Sequence, residues 1–129
     1  MMLLSLPSCS AKYISSYSAT FFIRSAWDGT VTAEIGSFSG RYVWRLHNPN
    51  TTDASIYYDG SISSGNFRVY YDSTATDSGK EMLLSMDGNG SFNGSGGYVG
   101  VGGEVYIIIE SVGDEPVTDI SLYISFKEE

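Results

Sequence analysis

From Ala19 onward, apolar and polar residues alternate with a period of two. That is the repeat of a strand with two unlike faces rather than of a helix. Phe21, Ile23 and Trp27 alternate with Arg24 and Ala26. Asp28-Gly29 is a hairpin turn signal, because Gly accepts the positive φ that such turns need. Val31, Ala33 and Ile35 then face one way, with Thr30, Thr32 and Glu34 opposite. Gly36 to Gly40 reads as a second turn. Tyr42, Trp44 and Leu46 alternate with Val43, Arg45 and His47 up to a loop, Asn48-Pro49-Asn50-Thr51-Thr52-Asp53, rich in residues that bond their own backbone.

The second half continues the pattern. Ile56-Tyr57-Tyr58 forms a short strand ending at Asp59-Gly60, and Phe67, Val69 and Tyr71 alternate with Arg68, Tyr70 and Asp72. Residues 73–79 read as a polar loop. Glu81-Met82-Leu83-Leu84 allows a helical turn, but its neighbours favour a strand. Asp87 to Gly97, rich in Gly, Asn and Ser, reads as loop. Val105, Ile107 and Ile109 share a strand with Tyr106 and Ile108, apolar on both faces and therefore central. After a turn at Gly113-Asp114-Glu115-Pro116, Ile120, Leu122, Ile124 and Phe126 alternate with Ser121, Tyr123, Ser125 and Lys127. About eight short, regularly spaced strands predict an all-β chain, an antiparallel β-sandwich of jelly-roll type.

Residues 1–18 stand apart, an apolar start followed by small polar residues. They read as signal remnant and tether, leaving 19–129 as a single domain. The chain of 129 residues suits one domain, and its 42% apolar content suffices for one core. A net charge of -8, with 7 basic residues and no basic cluster, repels phosphate backbones and argues against nucleic acid. It also argues against electrostatic docking onto anionic lipid. The single cysteine, Cys9, excludes an internal disulfide.

Candidate chemistry is sparse. His47 is the only histidine and reads as a strand-end surface residue, with no Gly-x-Ser-x-Gly elbow to pair with it. Asp87-Gly88-Asn89-Gly90-Ser91-Phe92-Asn93 begins like a calcium loop. It fails at the sixth position, Phe92, and at the twelfth, Tyr98. A structural calcium site built from Asp53, Asp59, Asp87, Asp114 or Asp119 competes with plain turn chemistry, which is the simpler account; no cofactor is expected. Glu34, Glu81, Glu104 and Glu110 qualify for paired-carboxylate hydrolysis only by residue type. Asn50-Thr51-Thr52, Asn89-Gly90-Ser91 and Asn93-Gly94-Ser95 match a glycosylation acceptor pattern, relevant only in a eukaryotic secretory pathway.

Tyrosine is the most distinctive binding feature: 10 Tyr and 2 Trp. Tyr57-Tyr58 and Tyr70-Tyr71 each put one ring on either face of their strand. With Tyr106 and Tyr123, Tyr57 and Tyr70 are the candidate residues for an aromatic platform that stacks on sugar rings or packs against a protein. Ordinary β-propensity accounts for the same tyrosines.

Leu6-Pro7-Ser8-Cys9 resembles the lipobox of bacterial lipoproteins. The resemblance covers four residues, and it implies cleavage before Cys9 and a lipid anchor on its thiol. Proline at the second position departs from the usual pattern, the apolar stretch is short, and no basic residue precedes it, as in a trimmed or misplaced start. The run from Gly102 to Ser111, closed by Leu122-Tyr123-Ile124-Ser125-Phe126, resembles bacterial pre-peptidase C-terminal domains, secreted jelly-roll sandwiches that follow proteases. The match covers about a quarter of the chain. The family's acidic metal positions have no counterpart to place here, and no site residue is carried over.

The sequence therefore predicts a small, exported, lipid-anchored or secreted bacterial protein. Its expected role is non-enzymatic, binding or scaffolding at the cell surface, with carbohydrate or protein as partner. A carbohydrate-binding module using exposed Tyr and Trp is the second reading. A small glycan-active enzyme is the third.

Overall fold

The computed structural model describes residues 15–27, 29–73 and 80–128. Eight antiparallel strands follow one another: β1 (Ser16–Trp27), β2 (Thr30–His47), β3 (Ala54–Ile62), β4 (Asn66–Ser73), β5 (Glu81–Asp87), β6 (Gly90–Val99), β7 (Glu104–Ser111) and β8 (Val117–Glu128). They pair along the path β5-β4-β7-β2-β8-β3-β6, with β1 also on β2. No α-helix occurs among the described residues, in keeping with the period of two.

The long strand β2 organises the fold. Its first half pairs with β8, from Val31↔Ile124 to Phe38↔Val117, and its second half pairs with β7, from Arg41↔Glu110 to His47↔Glu104. Strand β1 runs along the other edge, from Trp27↔Thr30 to Ser16↔Arg41. Arg41 thus has β1 on one side and β7 on the other, so β7 and β8 occupy the same edge of β2 in succession. The strand turns a corner between Phe38 and Arg41 and belongs to two sheets. One is β1-β2-β8-β3-β6, the other β2-β7-β4-β5. Their inner faces meet in a single core, the jelly-roll-like sandwich expected from the pattern. Leu83 of β5 lies against Gly96 of β6, so the far edges also approach each other.

The stretch from Gly36 to Gly40, expected as a turn, is this corner. Gly40 has φ +107°, and a Cβ there would collide with the Ser16 carbonyl, so a glycine lets the strand bend without ending. Aromatic rings fill the bend. Tyr42 meets Tyr17, Phe22 and Trp44 edge-on at 5.1, 5.0 and 4.8 Å, and the Arg24 guanidinium lies over the Phe22 ring at 4.7 Å. Tyr17 lies within β1, which includes Ser16, Tyr17 and Ser18 on the N-terminal side of Ala19.

The segment from Asp87 to Gly97 corrects the sequence reading. It is not loop: most of it forms β6, paired with β3 from Ile62↔Gly90 to Ala54↔Val99. Its glycines make room for neighbours. The Tyr58 ring lies against Gly94 and the Tyr71 ring against Gly97, so large side chains from other strands occupy the space that β6 leaves empty. The expected and observed strand numbers agree because two differences cancel. Two expected strands are the halves of β2, and one expected loop is β6.

The core is aliphatic and aromatic. Ile107 and Ile109 of β7, Phe67 and Val69 of β4, and Ile56 of β3 have no exposed surface, each such side chain contributing about 1.5–3 kcal/mol by leaving water. Tyr106 and Ile108 are buried as well, confirming β7 as apolar on both faces.

Three neighbouring strands change faces together. Ile35 on β2 and Ile120 on β8 point into the core, and the next core positions, Phe38 and Val117, come three residues on, an odd number that inverts the alternation. Between them lie Gly36 and Asp119, with Phe21 of β1 beside Gly36. Regular pairing skips all three, since the ladders pass from Thr20↔Ser37 to Phe22↔Ile35 and from Ile35↔Ile120 to Ser37↔Thr118. Phe21 and Asp119 adopt φ +50° and +52°, the left-handed region that costs a bulky side chain energy.

Candidate binding face

The registers fix what the outer face of the β1-β2-β8-β3-β6 sheet displays. Ser25, Thr32, Tyr123, Asp59 and Asn93 form one row across the strands. Ile23, Glu34, Ser121, Ser61 and Ser91 form the next. Tyr57 lies beside Ser125 and Ser95 in the row beyond Tyr123. Hydroxyls, amides and carboxylates thus surround a few rings on an open sheet surface.

Tyr57 and Tyr123 meet edge to face, with ring centroids 6.1 Å apart. Tyr123 is 40% exposed. The Tyr57 hydroxyl donates a long hydrogen bond of 3.4 Å to the Asp59 carboxylate. Desolvation, and after it the charge of Asp59, raise the Tyr57 phenol above its ordinary value, so its proton stays in place as a donor at neutral pH. Further along β8, the Ser121 hydroxyl donates to Glu34 at 2.8 Å.

Next to Glu34 the aligned break opens a pocket of about 340 Å³, lined by Phe21, Ile23, Glu34, Gly36, Asp119 and the paired Ile35 and Ile120. The pattern of β1 placed Phe21, Ile23 and Trp27 on one face. That face is the outside: Phe21 is 82% exposed, Ile23 65% and Trp27 52%. Gly36 leaves the floor open, and a Cβ there would press on Thr20 and Phe21 at 3.1–3.2 Å.

The four tyrosines of the expected platform divide. Tyr57 and Tyr123 stand together on this face. Tyr70 and Tyr106 belong to the outer face of the other sheet, where Tyr106 is only 6% exposed, and cations cover both rings. Lys80 Nζ lies 4.3 Å from the Tyr70 centroid and the Arg45 guanidinium 5.8 Å from that of Tyr106. A four-tyrosine platform is therefore not formed, because β3 and β8 are neighbours while β4 and β7 lie in the opposite sheet.

Other candidates find structural partners. His47 ends β2 and is exposed. Glu104 pairs with Arg45, and Glu110 with Arg41 and Lys80, at 2.9 and 2.8 Å for the latter pair. Burial pushes Glu110 up, but its bonds to Lys80 and Arg41 outweigh that and hold it below the ordinary carboxylate value. Asp87 pairs with Arg68 at 2.8 Å, and Asp53 accepts from the Tyr98 hydroxyl and the Val101 amide. Among the described residues no three or more His, Cys, Asp or Glu side chains converge as a metal site. Cys9 and its lipobox-like residues lie outside the described residues.

Residue type and alternation single out Tyr57 and Tyr123 but do not join Phe21, Glu34 and Asp119 to them. The signal was present in the alternation, since Glu34 faces away from Ile35 and Ser121-x-Tyr123 away from Leu122; strand order was the missing part. No protein-family model matches the chain, and no curated protein does either.

Proposed function

We propose that this chain is a small, non-enzymatic, exported binding protein that holds carbohydrate on the outer face of the β1-β2-β8-β3-β6 sheet. The Tyr57–Tyr123 pair carries this reading. Sugar recognition calls for a ring face to cover the apolar side of a pyranose and for planar or hydroxyl groups beside it to bond its hydroxyls. Asp59, Asn93 and Ser95 stand beside the two rings in the same register rows. An open sheet face of this kind suits an extended chain of sugars better than a single enclosed one.

The location belongs to the same proposal and rests on the sequence alone. The Leu6-Pro7-Ser8-Cys9 resemblance supports lipid anchoring at a bacterial surface.

A glycan array probed with the intact, folded protein tests the activity. Binding that falls at least about tenfold in both Tyr57→Ala and Tyr123→Ala supports it, a loss of about 1.4 kcal/mol. A folded sample that binds no glycan overturns it. Partition of the expressed protein into a detergent phase, abolished by Cys9→Ser, tests the anchor; unchanged partition in the variant overturns it.

A further inference from the structure

The geometry points to a cationic glycan: an oligosaccharide bearing free, protonated amino groups, with its rings along the Tyr57–Tyr123 face and an ammonium group in the Phe21–Asp119 pocket. This rests on the carbohydrate reading above and names the class of sugar.

Charge is the first argument. Asp59 stands in the Tyr123 row beside the two rings, and Glu34 and Asp119 line the pocket. Asp59 is bonded to Tyr57 and Glu34 to Ser121, both neutral hydroxyls, and among the described residues no lysine or arginine occupies the register rows between Tyr57 and Phe21. Arg24 turns to the opposite side of β1, over Phe22 and Tyr42. A neutral sugar leaves these carboxylates uncompensated, whereas an amino sugar places an ammonium among them.

The second argument is the form of the pocket. Phe21 and Ile23 make an apolar wall beside the two carboxylates, and Gly36 contributes no side chain to the floor. A pyranose carrying an ammonium group has this same division, apolar on a ring face and charged at an edge. The ring of Phe21 adds cation–π attraction for the charge.

Continuity is the third. Glu34 and Tyr123 lie one strand and two residues apart, about 8 Å from strand spacing and rise, with Ser121 between them. From Asp119 to Ser125, the residue beside Tyr57, is six residues of β8, about 20 Å. The ligand is therefore an oligomer.

Titration calorimetry of the intact protein with a glucosamine hexamer and with its fully N-acetylated counterpart tests the assignment. The expected result is at least tenfold tighter binding of the glucosamine hexamer at low salt. That preference should weaken as salt screens exposed charge and disappear in a Glu34→Gln, Asp119→Asn double variant. Both positions are exposed and asparagine accepts the left-handed conformation, so the double variant should fold, as circular dichroism checks. Equal affinity for the two hexamers, or a preference that survives the double variant, overturns the inference. If the acetylated hexamer still binds and depends on Tyr57, the carbohydrate reading stands without the amine. Binding of neither hexamer, nor of any arrayed glycan, removes both. A lysine hexamer bound as tightly as the glucosamine hexamer also overturns the inference, since the pocket then recognises charge without sugar.

Discussion

The two outer faces of this sandwich are built from similar residues and treat them in opposite ways. On the β2-β7-β4-β5 sheet, acids and aromatics are matched with cations. Arg41 and Lys80 share Glu110, Arg45 pairs with Glu104, Arg68 with Asp87, and Lys80 also covers Tyr70. On the β1-β2-β8-β3-β6 sheet, Glu34, Asp59 and Asp119 have no basic partner among the described residues, and Phe21, Ile23 and Tyr123 are open to solvent. Most of the chain's few cations are spent on one side. A face whose charges are already neutralised has little left for a ligand; the other keeps both its charge and its apolar surface available.

The contrast breaks most severely if the sheet beneath the open face is forced apart. Gly60 packs against the Ser121 carbonyl and the Phe92 ring, with no room for a Cβ. Gly60→Ala should cost about 3 kcal/mol in urea denaturation and displace Tyr57 from Tyr123. Next in size is the ligand contrast. Tyr57→Ala and Tyr123→Ala should each weaken glycan binding about tenfold, whereas Tyr70→Ala, on the matched face, should leave it unchanged in the same titration.

A third test separates the faces by acid. Glu110 is held below the ordinary carboxylate value in the folded state, so its contribution is present above the unfolded value and is lost as pH falls through the lowered one. Denaturant midpoints should therefore decline from neutral toward acid pH, and Glu110→Gln should flatten part of that decline while lowering stability at neutral pH. The smallest effect sharpens the view of the open face. Phe21→Asn relieves a left-handed aromatic residue and should raise stability by about 1 kcal/mol while weakening ligand binding. Thermal melts read one change and calorimetry the other.

Much of this was legible from residue alternation. Strands β7 and β8, the division of Tyr57-Tyr58 and Tyr70-Tyr71 between faces, and the surface position of His47 follow from the period of two. Strand β6 was hidden because Gly94, Gly96 and Gly97 carry no pattern of their own; their role is to accept Tyr58, Leu83 and Tyr71 from elsewhere. The corner in β2 resembled a turn because the same residue type, glycine, allows both. The site was only partly legible for another reason. Alternation tells which residues share a face of one strand, but not that β8 lies between β2 and β3, and that neighbour relation brings Glu34, Tyr123 and Tyr57 to one surface.

The shared inversion at Phe21, Gly36 and Asp119 constrains how this chain can change over generations. A one-residue insertion or deletion at any one of the three would turn half of that strand inside out against neighbours that had not turned. Related genes are therefore free to vary the side chains at these positions, but length changes there must arise in concert across β1, β2 and β8 or be eliminated, which makes the crease a fixed landmark for aligning diverged descendants.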